Sequence, residues 1–232
     1  SGDAILIQMT NTGTFRFYSV SFRISGSTQV SVNTWNHVAL EKVGNVNTLY
    51  LNGVSEGTYN DGGTTYVGPA NNVGRIGCDD NGGSNFFPGY ISNFRMVVGS
   101  AVYNGNFTPP NSTLTAISNT QLLTCQNSTG SITDASSNNH TITANGGAAA
   151  STQKPFADTI TVPTADLSAV TNTKLLALTE KTQPYASTGS AYFDGSGDYI
   201  DTTNPLSGTG DFTMEGWIYH TTSGTYDGYF AT

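Results

Sequence analysis

Charge is the first thing this sequence lacks. Asp, Glu, Lys and Arg make up 10% of its 232 residues, against about 25% in an average soluble domain. Disordered chains are usually charged and poor in aromatics; here aromatics reach 11%, with 12 Tyr and 11 Phe, so the chain is expected to fold. Basic residues are scarcest. Arg16, Arg23, Lys42, Arg75, Arg95, Lys154, Lys174 and Lys181 are scattered against 16 acidic residues, leaving no basic stripe to meet a phosphate backbone. Nucleic acid is therefore not an expected partner. The net charge of −8 reads as solubility, because its carriers are dispersed. No apolar run approaches the roughly 18 residues of a membrane-crossing helix, and the opening SGDAILIQMT has no basic region of the kind that starts a signal peptide; a membrane partner is not expected. Cys78 and Cys125 permit at most one bridge, too few for a disulfide scaffold. They are read as free, small buried hydrophobes.

Short β-type runs punctuated by Gly, Asn and Asp fill most of the chain. Residues 14–24 (TFRFYSVSFRI) are rich in aromatic and β-branched types with partial alternation. The clearest hairpin is WNHVALEK, VGNVN, TLYLNG (35–53). In its first arm Trp35, His37, Ala39 and Glu41 share one face and Val38 and Leu40 the other. In its second arm Leu49 and Leu51 oppose Tyr50, and Asn52-Gly53 is a dipeptide suited to a tight turn. In FFPGYISNFRMVV (86–98), simple alternation places Tyr90, Phe94 and Met96 opposite Ile91, Arg95 and Val97. Strands at intervals of about ten residues, with almost no helical periodicity, predict an all-β fold, an antiparallel sandwich or jelly roll. Only 171–181 (TNTKLLALTEK) resembles a helix, and it too is read as strand. Residues 104–120 and 157–174 read as connectors. They flank a partial echo, ISNTQLL (117–123) against VTNTKLL (170–176), which suggests units joined in series.

The segments YFDGSGDYI, GTGDFTMEGWIY, NTWNHVALEK, TLYLNG, VGRIGCD and FPGYISNFRMVVGSAVY together resemble the laminin-G-like, concanavalin A-like lectin/glucanase superfamily. The likeness is greatest to the tandem lectin-like domains of structural and appendage proteins of marine bacteriophages. The resemblance covers nearly all of 1–156 and 185–232 and implies a concanavalin A-like jelly roll, in permuted or domain-spanning order. In such domains the FDGSGDY and FTMEGWIY strands come first, whereas here they come last. The expected organisation is therefore later jelly-roll strands in 1–110, a connector with the opening strands of a further unit in 111–189, and first strands in 190–232. That last stretch would complete the same or a neighbouring unit, with exchange between consecutive units of a tandem array preferred to self-closure.

Glucanases of this fold need two carboxylates on one strand face, about 5 Å apart for retaining chemistry. Glu215 stands without an acidic residue at 213 or 217, so an enzyme is not expected. Sugar binding is better supported: Glu215, Trp217 and Tyr219 share a face of DFTMEGWIY, where rings can stack on a pyranose and a carboxylate can accept its hydroxyls. Trp217 as simple sandwich core is the alternative. Asp194, Ser196, Asp198 and Asp201, and separately Asp79, Asp80 and Asn81, could supply oxygens to Ca²⁺, or could merely belong to Gly-rich turns; no other cofactor is expected. His37, His140 and His220 lack companions at metal-ligand spacing, and no Ser-His-Asp motif, phosphate loop or dinucleotide fingerprint is present. The function these readings imply is a non-enzymatic structural and adhesion module of a virion. It would sit outside a particle or cell, with neighbouring subunits and surface glycans as partners. A cell-surface lectin is the runner-up, and a glycoside hydrolase the third reading.

Overall fold

Residues 5–66, 73–79, 84–156, 189–203, 210–222 and 227–231 are described by a computed structural model. Fifteen strands, numbered in chain order, make up the regular structure of these residues, and all their pairings are antiparallel. No helix among the described residues is long and apolar enough to cross a membrane. One sheet holds β1 (Leu6–Met9), β2 (Thr14–Ser19), β3 (Ser21–Gln29), β7 (Val73–Ile76), β10 (Ile142–Asn145), β13 (Tyr199–Thr203) and β15 (Asp227–Ala231). The other holds β4 (Trp35–Val43), β5 (Val46–Leu51), β6 (Val54–Asn60), β8 (Pro88–Val98), β11 (Ala149–Ser151), β12 (Ser190–Asp194) and β14 (Phe212–His220). Its spatial order is β11-β12-β8-β14-β4-β5-β6, and β9 (Thr120–Thr124) pairs with the far half of β8. The two sheets close over one core, with Ile7, Phe15, Phe17 and Phe230 from the first meeting Leu40, Phe94, Met96 and Met214 from the second. This is the all-β, antiparallel concanavalin A-like sandwich that the sequence predicts.

Within the single chain, the carboxyl-terminal strands close on the chain itself. Strand β14 lies between β4 and β8 of its own chain, and β15 pairs with β1 so that Leu6 faces Ala231. The described residues of 190–231 thus complete the same sandwich as 1–110 within this single chain. The segment 121–156 does not open a further unit. Its strands β9, β10 and β11 pair with β8, β13 and β12 of this sandwich. β14 buries its apolar face (Phe212, Met214, Ile218) and is paired along both edges, which leaves neither open. The echo at 170–176 and the segment 171–181 lie outside the described residues.

A bulge corrects the reading of β8. Arg95 pairs with Glu215 and Ser92 with Trp217, so Asn93 and Phe94 together oppose Gly216. Asn93 takes up the extra residue in a left-handed conformation (φ 54°), which asparagine tolerates better than most side chains. Alternation is therefore interrupted. Phe94 and Met96 join Ile91 in the core, while Tyr90 lies on the other face with Arg95.

The bulge also brings Tyr229 against Gly216. The Tyr229 hydroxyl is buried without a hydrogen-bond partner and lies 2.1 Å from where a Cβ on Gly216 would sit; the next atoms are at 3.4 Å. Gly216→Ala is expected to cost about 1–3 kcal/mol through overpacking. Tyr229→Phe removes an unsatisfied buried hydroxyl and should restore most of that loss in the double variant. Urea denaturation of the four proteins checks this; additive effects would refute it.

Candidate functional site

The face of the second sheet that turns away from the core is built by alternate residues of β4, β14, β8 and β12. Trp35 pairs with Tyr219, Tyr219 with Tyr90, and Tyr90 with Tyr192. Four adjacent strands thus contribute four aromatic rings to one row. Successive centroids are 5.4, 5.7 and 5.0 Å apart. Trp35, Tyr219 and Tyr90 are half-buried and Tyr192 is exposed. With strands about 4.8 Å apart, the row spans roughly 14 Å. One step along the strands, His37 pairs with Trp217 and Trp217 with Ser92. The rings of His37 and Trp217 meet edge-to-face at 5.2 Å, and Phe156 packs on Trp217 from the other side at 5.6 Å. His37 Nδ1 and Trp217 Nε1 are buried and have no hydrogen-bond partner in the protein.

Glu215 occupies the following row, fully buried beside Arg95. Its Oε1 accepts from Arg95 Nε at 2.8 Å and Nη2 at 2.5 Å. Its Oε2 accepts from the Tyr103 hydroxyl and, at 3.1 Å, from His37 Nε2. Burial alone would raise the Glu215 pKa, but the His37 hydrogen bond and the Arg95 charge outweigh it and hold the carboxyl below its ordinary 4.5. Burial, and then the Glu215 charge, push the Tyr103 phenol well above its usual range, so it remains a donor.

Tyr103 comes from the loop after β8, which folds back over this face. Its ring stacks on Phe107 at 3.5 Å and 5°, and Phe107 in turn meets the edges of His37 and Tyr50. Glu41 anchors the loop from below. Its Oε1 accepts from the backbone N–H of Val102 and Tyr103, each at 2.7 Å, and from the Thr213 hydroxyl; its Oε2 accepts from Asn104 N–H at 2.9 Å. Glu215 and Glu41 are therefore buried and committed to the protein itself, whereas Asp194, two residues from Tyr192 on β12, is exposed.

The three residues expected to bind sugar do share one face, but they differ in access. Tyr219 stands in the half-exposed row, Trp217 is half-buried beside it, and Glu215 is covered by Tyr103. Trp35 was legible as a neighbour on the same face of β4. Tyr90 and Tyr192 were missed as site residues, although both follow once β14 is placed between β4 and β8.

The acidic clusters are dispersed. Asp198 is fully buried and accepts from Gly147 N–H and, at 2.7 Å, from Asp194 N–H, tying two turns together. Asp194 accepts from Ser196 N–H within its own turn, and Asp201 pairs with Arg75 at 3.1 Å. Asp79 accepts from Ser84 and Asn85, while Asp80 and Asn81 lie outside the described residues. Among the described residues no group of three or more His, Cys, Asp or Glu side chains is placed to hold a metal ion. Cys78 and Cys125 are buried and form no disulfide. His37 and His220 each meet a buried carboxylate, His220 through Asp227 at 2.8 Å.

Residues 1–101 match a family model described as the concanavalin A-like lectin/glucanases superfamily. No curated protein and no solved structure matches the sequence.

Proposed function

From the match of residues 1–101 to the concanavalin A-like lectin/glucanases superfamily, we propose that the protein is a non-catalytic adhesion module that holds a surface glycan on its Trp35–Tyr219–Tyr90–Tyr192 row. The row itself carries the reading. Large aromatic side chains left half-exposed in one contiguous strip are costly for a protein in water unless something covers them, and ring faces and edges suit the C–H faces of pyranoses.

Two observations support a module without hydrolytic chemistry. Glycoside hydrolysis needs a carboxylic acid beside the scissile oxygen and a second carboxylate within reach of the sugar. Glu215 and Glu41 are both beneath the 100–107 loop, with every carboxylate oxygen engaged. The setting proposed is the exterior of a marine-phage virion, where the module would also pack on neighbouring subunits. A lectin on a cell surface uses the same row, and labelled antibody on intact particles separates the two.

A glycan array on the recombinant chain, followed by calorimetry, tests the reading. Binding of at least one glycan is expected, with Trp35→Ala and Tyr219→Ala each weakening it at least tenfold, about 1.4 kcal/mol. Circular dichroism verifies that each variant is folded. A folded wild type that binds no glycan defeats the proposal, and release of reducing sugar defeats its non-catalytic part.

A further inference from the structure

The 100–107 loop divides the outer face, and on the side away from the aromatic row β5 and β6 leave a groove of about 350 Å³. Tyr50 and Thr48 of β5, Val46 at the hairpin turn and Thr58 of β6 line it, and Asn104 and Asn106 form the wall supplied by the loop. We propose that this groove is a second binding site, for an uncharged polyhydroxylated ligand, a neutral mono- or disaccharide.

The lining defines the chemistry. It contains no Asp, Glu, Lys, Arg or His, so a charged ligand would be desolvated there without a counter-charge. Burial raises the Tyr50 pKa, which keeps its phenol neutral. A purely apolar ligand would strip water from the Thr48, Thr58 and Asn104 side chains and return no hydrogen bonds. A sugar meets both demands, offering C–H faces to the exposed rim of Val43 and Val46 and hydroxyls to Thr58, Asn104 and Asn106. Val43 and Val46 are exposed on the rim at 41% and 39%, an apolar edge that the fold itself leaves uncovered. At the small end of the roughly 300–1,000 Å³ range of ligand pockets, the volume suits a short ligand rather than a long chain.

The groove is also held in shape before any ligand arrives. Asn104 N–H is fixed by Glu41 at 2.9 Å, Asn106 Oδ1 accepts from Ser55 N–H at 3.0 Å, and Phe107 N–H donates to Gly53 O at 2.9 Å. Walls pinned by both the sheet and the hairpin turn lower the ordering cost of binding. The stacked Tyr103 and Phe107 rings stand between groove and row, so the two sites are distinct and each is tested without the other.

Amide NMR of the whole chain, titrated separately with glucose, galactose, mannose, N-acetylglucosamine and glucuronate, tests this. At least one neutral sugar is expected to shift the amides of Thr48, Tyr50, Thr58 and Asn104, with glucuronate at least tenfold weaker. Thr58→Trp, which fills the groove from the exposed edge strand, should abolish those shifts. Val46→Lys, which sets a charge on the rim, should weaken them at least tenfold and serves alone if the tryptophan variant misfolds. Tyr219→Ala, in the row, should leave them unchanged. The site is refuted if no neutral sugar shifts these amides, if the shifts survive both groove variants, or if glucuronate or an extended peptide added along β6 produces them instead. Because the adhesion reading is scored at Trp35 and Tyr219, either site can fail while the other stands.

Discussion

Replacing Glu215 with alanine is expected to lower the stability of the protein by about 3–5 kcal/mol at neutral pH, the cost of stripping one partner from a buried ion pair. Arg95 is 6% exposed and would lose both of its bonds to the carboxylate while keeping that to Thr115 O at 3.1 Å. Tyr103 and His37 would each lose the acceptor that fixes them. Glu215→Gln preserves the shape but not the charge, and should fall between wild type and alanine. The pH dependence has a definite sign. The folded pKa of Glu215 is depressed below 4.5, so the carboxylate's contribution is complete above 4.5 and disappears as pH falls through the lower folded value. The stability gap between wild type and the glutamine variant should therefore stay constant down to about pH 4.5 and narrow below it. Urea denaturation across that range measures both effects. An alanine variant as stable as wild type would show that the cluster holds nothing together.

The β4–β5 hairpin was legible because nothing interrupts it. Its pairing runs in unbroken register from Val38–Leu51 to Val43–Val46, and Asn52-Gly53 turns the chain with both residues at positive φ (50° and 79°), so simple alternation places Trp35, His37 and Glu41 together. The same rule failed on β8 at one residue. Asn93 adds a step that no local pattern announces, and everything beyond it changes face. The site was half legible for a related reason. Glu215, Trp217 and Tyr219 share a face by period-two geometry, whereas the burial of Glu215 depends on Tyr103, 112 positions away in the chain. A contact of that range is fixed by the tertiary path of the loop and leaves no trace in strand periodicity. Self-closure was equally hidden. The order of motifs shows that 190–232 begins a jelly roll, but which copy of β4 and β8 receives β14 is not written in local sequence, since either copy would pair both edges of β14 and bury its apolar face.

Glu41 holds the other end of the same loop, and Glu41→Ala is expected to have an effect on stability as large as that of Glu215→Ala. The side chain is 1% exposed and accepts four hydrogen bonds, three of them from consecutive backbone N–H groups of Val102, Tyr103 and Asn104. Peptide groups of a loop cannot find new partners as a side chain can by changing rotamer, so alanine leaves several donors unsatisfied at about 1–3 kcal/mol each. The loop has an alternative to paying this in full, which is to lift into water. The expected result is therefore twofold: a global loss of roughly 3–5 kcal/mol, and hydrogen exchange at Val102, Tyr103 and Asn104 that accelerates far more than exchange in the β4–β5 hairpin. Glu41→Gln separates the contributions. Its amide oxygen can still accept from Val102 and Tyr103, but its nitrogen cannot accept from Asn104, so protection should fall chiefly at Asn104. If exchange at all three amides in Glu41→Ala rises only in step with global stability, the carboxylate is a general core contact and does not act as the anchor of the loop.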